Sequence, residues 1–163
     1  MGGSLRCKWV NAMKEQKLFG TEIAEQVSHT AELHLVVPFT TPELTRAALN
    51  TANRMGAGLN ATLRLIRVQV VPYPMDLDQS PVYLEFLKEQ LAQFISELPT
   101  TSQICLARDF DKGLMGTLTR DSVVVLATRK RLWKTRTERL AASLRHAGHN
   151  VILVEQNKEA ENA

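Results

Sequence analysis

With 163 residues, the chain is long enough to bury one sizeable core without disulfide or metal staples. Its 44% apolar and 23% charged content excludes intrinsic disorder, and a net charge of +3 is too small to argue for a nucleic-acid partner. Cys7 and Cys105 lie far apart without ligand spacing, no apolar run is long enough to span a membrane, and no signal-peptide core is present; a reducing cytoplasm is the expected compartment.

Residues 1–30 differ from the rest. Met1-Gly-Gly-Ser reads as flexible, and Trp9, Met13, Leu18, Phe19, Ile23 and Val27 recur at roughly helical spacing, which predicts one or two short helices in a linker or extension. Leu33-His-Leu-Val-Val-Pro38 is almost continuously apolar, as in a strand covered on both faces. Thr41-Pro42-Glu43 then opens a helix with an oxygen-bearing cap, a proline in the first turn and an acid beside it. Leu44, Ala47, Ala48, Ala52 and Met55 continue its apolar face, and Gly56 or Gly58 ends it.

Ala61 to Val71 is predicted as a strand with arginines on a less covered face, followed by a proline-rich loop from Pro72. Ser80-Pro81 restarts a helix, whose inner face is Leu84, Leu87, Leu91, Phe94, Ile95 and Leu98. Gln103 to Ala107 is the third strand, Phe110 to Leu118 a short helix capped by Asp109 or Asp111, and Ser122 to Ala127 the fourth strand. Thr135 and Glu138 form a capping box for a helix with Leu140, Ala141, Leu144 and Ala147 inward, and Gly148 ends it. Val151 to Val154 is the last strand, and residues 157–163 read as a disordered polar tail.

The order βαβαβαβαβ predicts an α/β domain over residues 31–156, built as a single doubly wound five-stranded parallel sheet with helices on both faces. In such sheets ligands bind beyond the carboxyl ends of the strands, where the strand order reverses. The first and fourth strands are the expected pair, so the loops from Pro38 to Thr41 and from Ala127 to Trp133 hold the candidate site. Thr40 and Thr41 offer a helix N-terminus, and Thr128, Arg129, Lys130 and Arg131 offer hydroxyl and positive charge for an anion or nucleotide.

Lys134, Arg136, Arg139 and Arg145 extend the basic run, but Glu138 interrupts it and only Trp133 offers a stacking ring. A solvated helix face is expected there rather than a nucleic-acid surface. His146 and His149 straddle a helix stop, which suits capping better than metal ligation. Asp76 and Asp78 offer only two carboxylates in a loop, and Tyr73 is expected over the crevice mouth or on the second helix. There is no Gly-x-Ser-x-Gly elbow, P-loop or Gly-x-Gly-x-x-Gly, and the position after the first strand lacks the clustered acids of a phosphoacceptor domain.

Val123-Val-Val-Leu-Ala-Thr-Arg129, Glu138-Arg-Leu-Ala-Ala-Ser-Leu-Arg-His-Ala-Gly-His-Asn-Val-Ile-Leu-Val154 and Leu35-Val-Val-Pro38 resemble the last βαβ unit and the opening strand of the universal stress protein family, within the adenine-nucleotide α-hydrolase-like folds. The resemblance covers residues 31–156 as a topology. In nucleotide-binding members an Asp after the first strand contacts adenine, and a Gly-x-x-Gly, nine residues and a Gly-Ser or Gly-Thr pair cradle ribose and phosphates. The matching positions here are Thr40 (or Phe39), Ala127, Lys130 and Leu140-Ala141, so the chain departs from the glycine cradle throughout.

The resemblance therefore implies a non-enzymatic regulatory or interaction module with usual ATP binding lost or altered. It also implies a homodimer formed through Val151, Ile152, Leu153 and Val154. The alternatives are a nucleotide or small-anion binder using the basic loop, with ATP or another adenine nucleotide as cofactor, and a cytoplasmic domain of a bacterial transporter.

Overall fold

The computed structural model describes residues 6–10, 32–77, 81–96 and 98–156. The strands are β1 (Arg6–Val10), β2 (Leu33–Pro38), β3 (Ala61–Val70), β4 (Thr100–Ala107), β5 (Ser122–Arg129) and β6 (Asn150–Gln156). The helices are α1 (Pro42–Gly56), α2 (Pro81–Ile95), α3 (Phe110–Thr117) and α4 (Arg136–His146). The sheet order is β1-β4-β3-β2-β5-β6, and β2 to β6 pair in parallel throughout. This is the expected doubly wound, Rossmann-like α/β fold. Among the described residues, no helix is long and apolar enough to cross a membrane.

The central strand shows why two helical layers are needed. Leu35, Val36 and Val37 are consecutive and all buried, so both faces of β2 must be covered. Leu35 and Val37 meet α1 and α2 through Leu49, Leu84, Leu87 and Leu91. Val36 points the other way, into the layer that α3 and α4 close with Leu114, Leu140 and Leu144. The chain steps outward from β2 to β3 and β4, then returns across β2 to begin β5. That return is the reversal of strand order, and it leaves β2 and β5 as neighbours with a crevice at their carboxyl ends.

The local signals in the sequence act as anticipated. Thr41 caps α1, with its hydroxyl accepting from the Leu44 amide at 3.4 Å, and Asp109 caps α3 by accepting from the Lys112 amide at 2.9 Å. Gly58 and Gly148, in the turns after α1 and α4, take φ of 77° and 91°, where a side chain is strained.

One expectation is corrected. Arg6–Val10 is not helical: it forms β1 and pairs antiparallel with β4, from Arg6 opposite Leu106 to Val10 opposite Ser102. Polar and apolar residues alternate along Arg6-Cys-Lys-Trp9, the period of a strand rather than a helix. The sheet therefore has six strands, the five parallel ones plus this antiparallel addition at the β4 edge. The helical spacing from Met13 to Val27, Asp78 and the tail 157–163 lie outside the described residues.

α3 seats against the sheet at Gly113, where a Cβ would stand 2.6 Å from the Ala107 Cβ and 2.9 Å from Val68 Cγ1. Neither neighbour is the far end of a flexible side chain. Gly113→Val is expected to cost about 1–3 kcal/mol through overpacking, read as a lower urea midpoint with an unchanged slope.

Candidate functional site

A crevice of about 420 Å³ lies at the β2/β5 reversal. Thr41 contributes from one side; Thr128, Arg129 and Arg131 contribute from the other. Four of the six expected site residues are thus brought together. Thr40 lines an adjoining cavity of about 220 Å³ that shares Thr41, Arg136 and Thr137 with the crevice. Lys130 is exposed and does not line the crevice.

β5 runs two residues further than its apolar stretch suggests, through Thr128 and Arg129. Pairing with Glu155 and Gln156 of β6 carries those two residues along the sheet, and Thr128 is buried. Its hydroxyl shares a hydrogen bond of 2.9 Å with the Thr135 hydroxyl. Thr135 also closes the capping box of α4: it accepts from the Glu138 amide at 3.2 Å, and its own amide donates to Glu138 Oε2 at 2.8 Å. The segment 130–134 is therefore a loop pinned at both ends.

Arg136 and Arg139, expected on a solvated helix face, also line the crevice. They sit three apart in the first turn of α4, the spacing that places two side chains on one helix face. Being at the start of the helix aims them back at the strand end. Arg145, at the far end of α4, donates instead to the Val151 carbonyl at 3.0 Å. The basic run thus divides between two ends of the helix.

With Lys134, these residues give the crevice five cationic side chains: Arg129, Arg131, Lys134, Arg136 and Arg139. Among the described residues none of the five forms an ion pair, although Glu43 also lines the crevice. Arg136 lies over the Phe110 ring at 5.3 Å, and Phe110 and Phe39 wall the adjoining cavity. The composite site is basic at one end and aromatic at the other.

The helix N-termini contribute less than expected. The Thr40 amide donates to the buried Thr45 hydroxyl at 3.1 Å, and the Leu44 amide is taken by Thr41. At α4, the amides of Thr135 and Glu138 are taken up by the capping box. An anion placed in this crevice would meet long cationic side chains first.

Phe39 is held in place from behind. Its ring meets Phe94 edge to face at 5.4 Å and lies under the Arg67 guanidinium at 4.5 Å. Arg67 donates to Gln90 Oε1 at 2.9 Å, and burial lowers its pKa from the ordinary arginine value. Tyr73 neither covers the crevice nor packs into α2: it is 80% exposed, under the Arg108 guanidinium at 4.1 Å. No three His, Cys, Asp or Glu side chains among the described residues are grouped to hold a metal ion.

Compared with known proteins, the chain matches no family model and no curated relative.

Thr135→Ala removes the cap and leaves the buried Thr128 hydroxyl without this partner. The expected loss is about 1–3 kcal/mol in thermal or urea denaturation. Thr135→Ser restores most of it, and the double variant Thr128→Val/Thr135→Ala loses less than the two single effects added.

Proposed function

We propose that this chain is a non-enzymatic binding module, similar to universal stress proteins, that holds a phosphate-bearing small molecule of nucleotide type in the β2/β5 crevice. The observation that carries this reading is the convergence of five cationic side chains, without ion-pair partners among the described residues, at the topological switch point. Phosphate would lie among Arg129, Arg131 and Arg139. A flat ring would lie in the adjoining cavity between Phe39 and Phe110, beside Thr40. The mode differs from a glycine cradle, since side-chain charge replaces close backbone approach.

Calorimetric titration with Mg-ATP, AMP and inorganic phosphate tests the reading. Binding of both nucleotides is expected, with phosphate weaker because it leaves the aromatic cavity empty. Arg129→Ala or Arg139→Ala should each weaken nucleotide binding by about tenfold, the loss of one charge-assisted contact. An absence of heat with every ligand would remove the proposal.

The edge of the sheet supports a second property, self-association. Among the described residues β6 has a neighbour only in β5, and Val151, Ile152, Leu153 and Val154 are all just half-buried. An apolar strand with an open backbone edge is a template for pairing with a second copy. Light scattering at micromolar concentration is expected to give the mass of a dimer, and a monomer mass there would rule the pairing out.

A further inference from the structure

The loop between β5 and α4 lines the crevice with Arg131, Trp133 and Lys134, but its tip also faces outward. Leu132 is fully exposed and Trp133 is 84% exposed, side by side at its tip. Lys130, Arg131 and Lys134 flank them and are exposed too. From Arg129 to Thr137 there is no acidic residue, and the carboxylate that follows, Glu138, is engaged by the Thr135 amide. The Thr128–Thr135 hydrogen bond and the capping box fix the base of the loop, so its tip is held outward by ordered structure.

We propose that this loop docks the protein onto an anionic phospholipid surface, with Leu132 and Trp133 entering the boundary between headgroups and acyl chains. Charge complementarity names the occupant: cations on both sides of the apolar pair meet lipid phosphates while the pair goes deeper. Tryptophan favours that interfacial depth, with its ring in the apolar layer and its N–H in the polar one. Leu132 decides between a bilayer and a nucleic acid. A stacked base rewards the Trp133 ring and the arginines, but an aliphatic side chain has no stacking face and gains chiefly from hydrocarbon.

The β3–α2 loop leaves the same carboxyl end of the sheet and exposes Tyr73 and Met75 there. Asp76, Asp109 and Asp111 also lie at that end, on the β3 and β4 side. This confines the contact to the β5 loop. Trp133, Arg131 and Lys134 are shared with the crevice lining, whereas Lys130 and Leu132 are not, so substitutions at those two positions leave the crevice intact and test docking separately from the crevice reading.

The test is sedimentation of the full chain with vesicles of phosphatidylcholine alone and of phosphatidylcholine mixed with phosphatidylserine, at low and high salt. In parallel, Trp133 emission is followed in a Trp9→Phe background. Binding is expected only with phosphatidylserine, weakened by salt and accompanied by a blue shift. Leu132→Asp should weaken it by about tenfold or more, and Lys130→Gln by about fivefold. Since both side chains are exposed, the melting temperature should not move.

Equal sedimentation with neutral vesicles, or none with either, would overturn the proposal. So would a Leu132→Asp variant that binds like the unsubstituted protein. Binding lost in Arg139→Ala but kept in Leu132→Asp would place a headgroup in the crevice and refute docking by the loop. Retention of a single-stranded oligonucleotide without retention of vesicles would assign the loop to nucleic acid and refute it as well.

Discussion

Everything at the functional end of this molecule depends on β2 being buried on both faces. A strand reading Leu35-Val36-Val37 cannot face water on either side, so helices must be supplied above and below it. With right-handed connections, one pair of helices can cover one face only while the chain travels in one direction. Covering the other face requires the chain to return and set out the opposite way, which it does between β4 and β5. The crevice is the geometric residue of that return: the loops after β2 and β5 diverge to opposite faces and leave a gap between them.

Into that gap the chain places positive charge, and the hydrogen bonds around it explain why side chains rather than amides carry the site. A glycine-rich loop lets backbone N–H groups approach a phosphate. Here the corresponding region begins with the buried Thr128, continues through large basic residues, and spends the α4 cap on its own Glu138. The capping box adds stability and fixes the loop, but it occupies amides that an anion would otherwise meet. Arg129, Arg131, Lys134, Arg136 and Arg139 approach the crevice on long stems instead.

Much of this was legible in the sequence because the signals are local and redundant. Each parallel strand is an apolar run, each described cap is an oxygen-bearing residue at the right spacing, and the βα alternation leaves little topological freedom. The adjacency of β2 and β5 followed from the rule about strand reversal rather than from any motif. The exceptions are instructive. At Arg6–Val10 a helical period was assigned to residues that alternate with period two, and only pairing with β4 distinguishes the choices. Thr128 and Arg129 looked like loop because their side chains are polar, whereas hydrogen bonding to β6 extends the strand through them. Arg136 and Arg139 are exposed, as a solvated stripe requires, but that they also line the crevice was not legible, because helix periodicity says which residues share a face, not what stands opposite that face.

Lining a crevice with basic side chains rather than with a glycine-rich backbone cradle has a physical consequence that the geometry makes specific. A backbone cradle is rigid before its ligand arrives, and its selectivity comes from close approach that tolerates no extra atoms. A ring of arginines and lysines loses side-chain freedom when it closes on a ligand, roughly up to 2 kcal/mol for each fully immobilised chain. Much of its attraction is Coulombic and reaches across solvent, where salt screens it. Phe39, clamped between Arg67 and Phe94, and Phe110, under Arg136, are the preordered parts of this site. On the proposed reading, discrimination among phosphate-bearing ligands would fall to the aromatic cavity, while the cations would set how strongly any of them is drawn in.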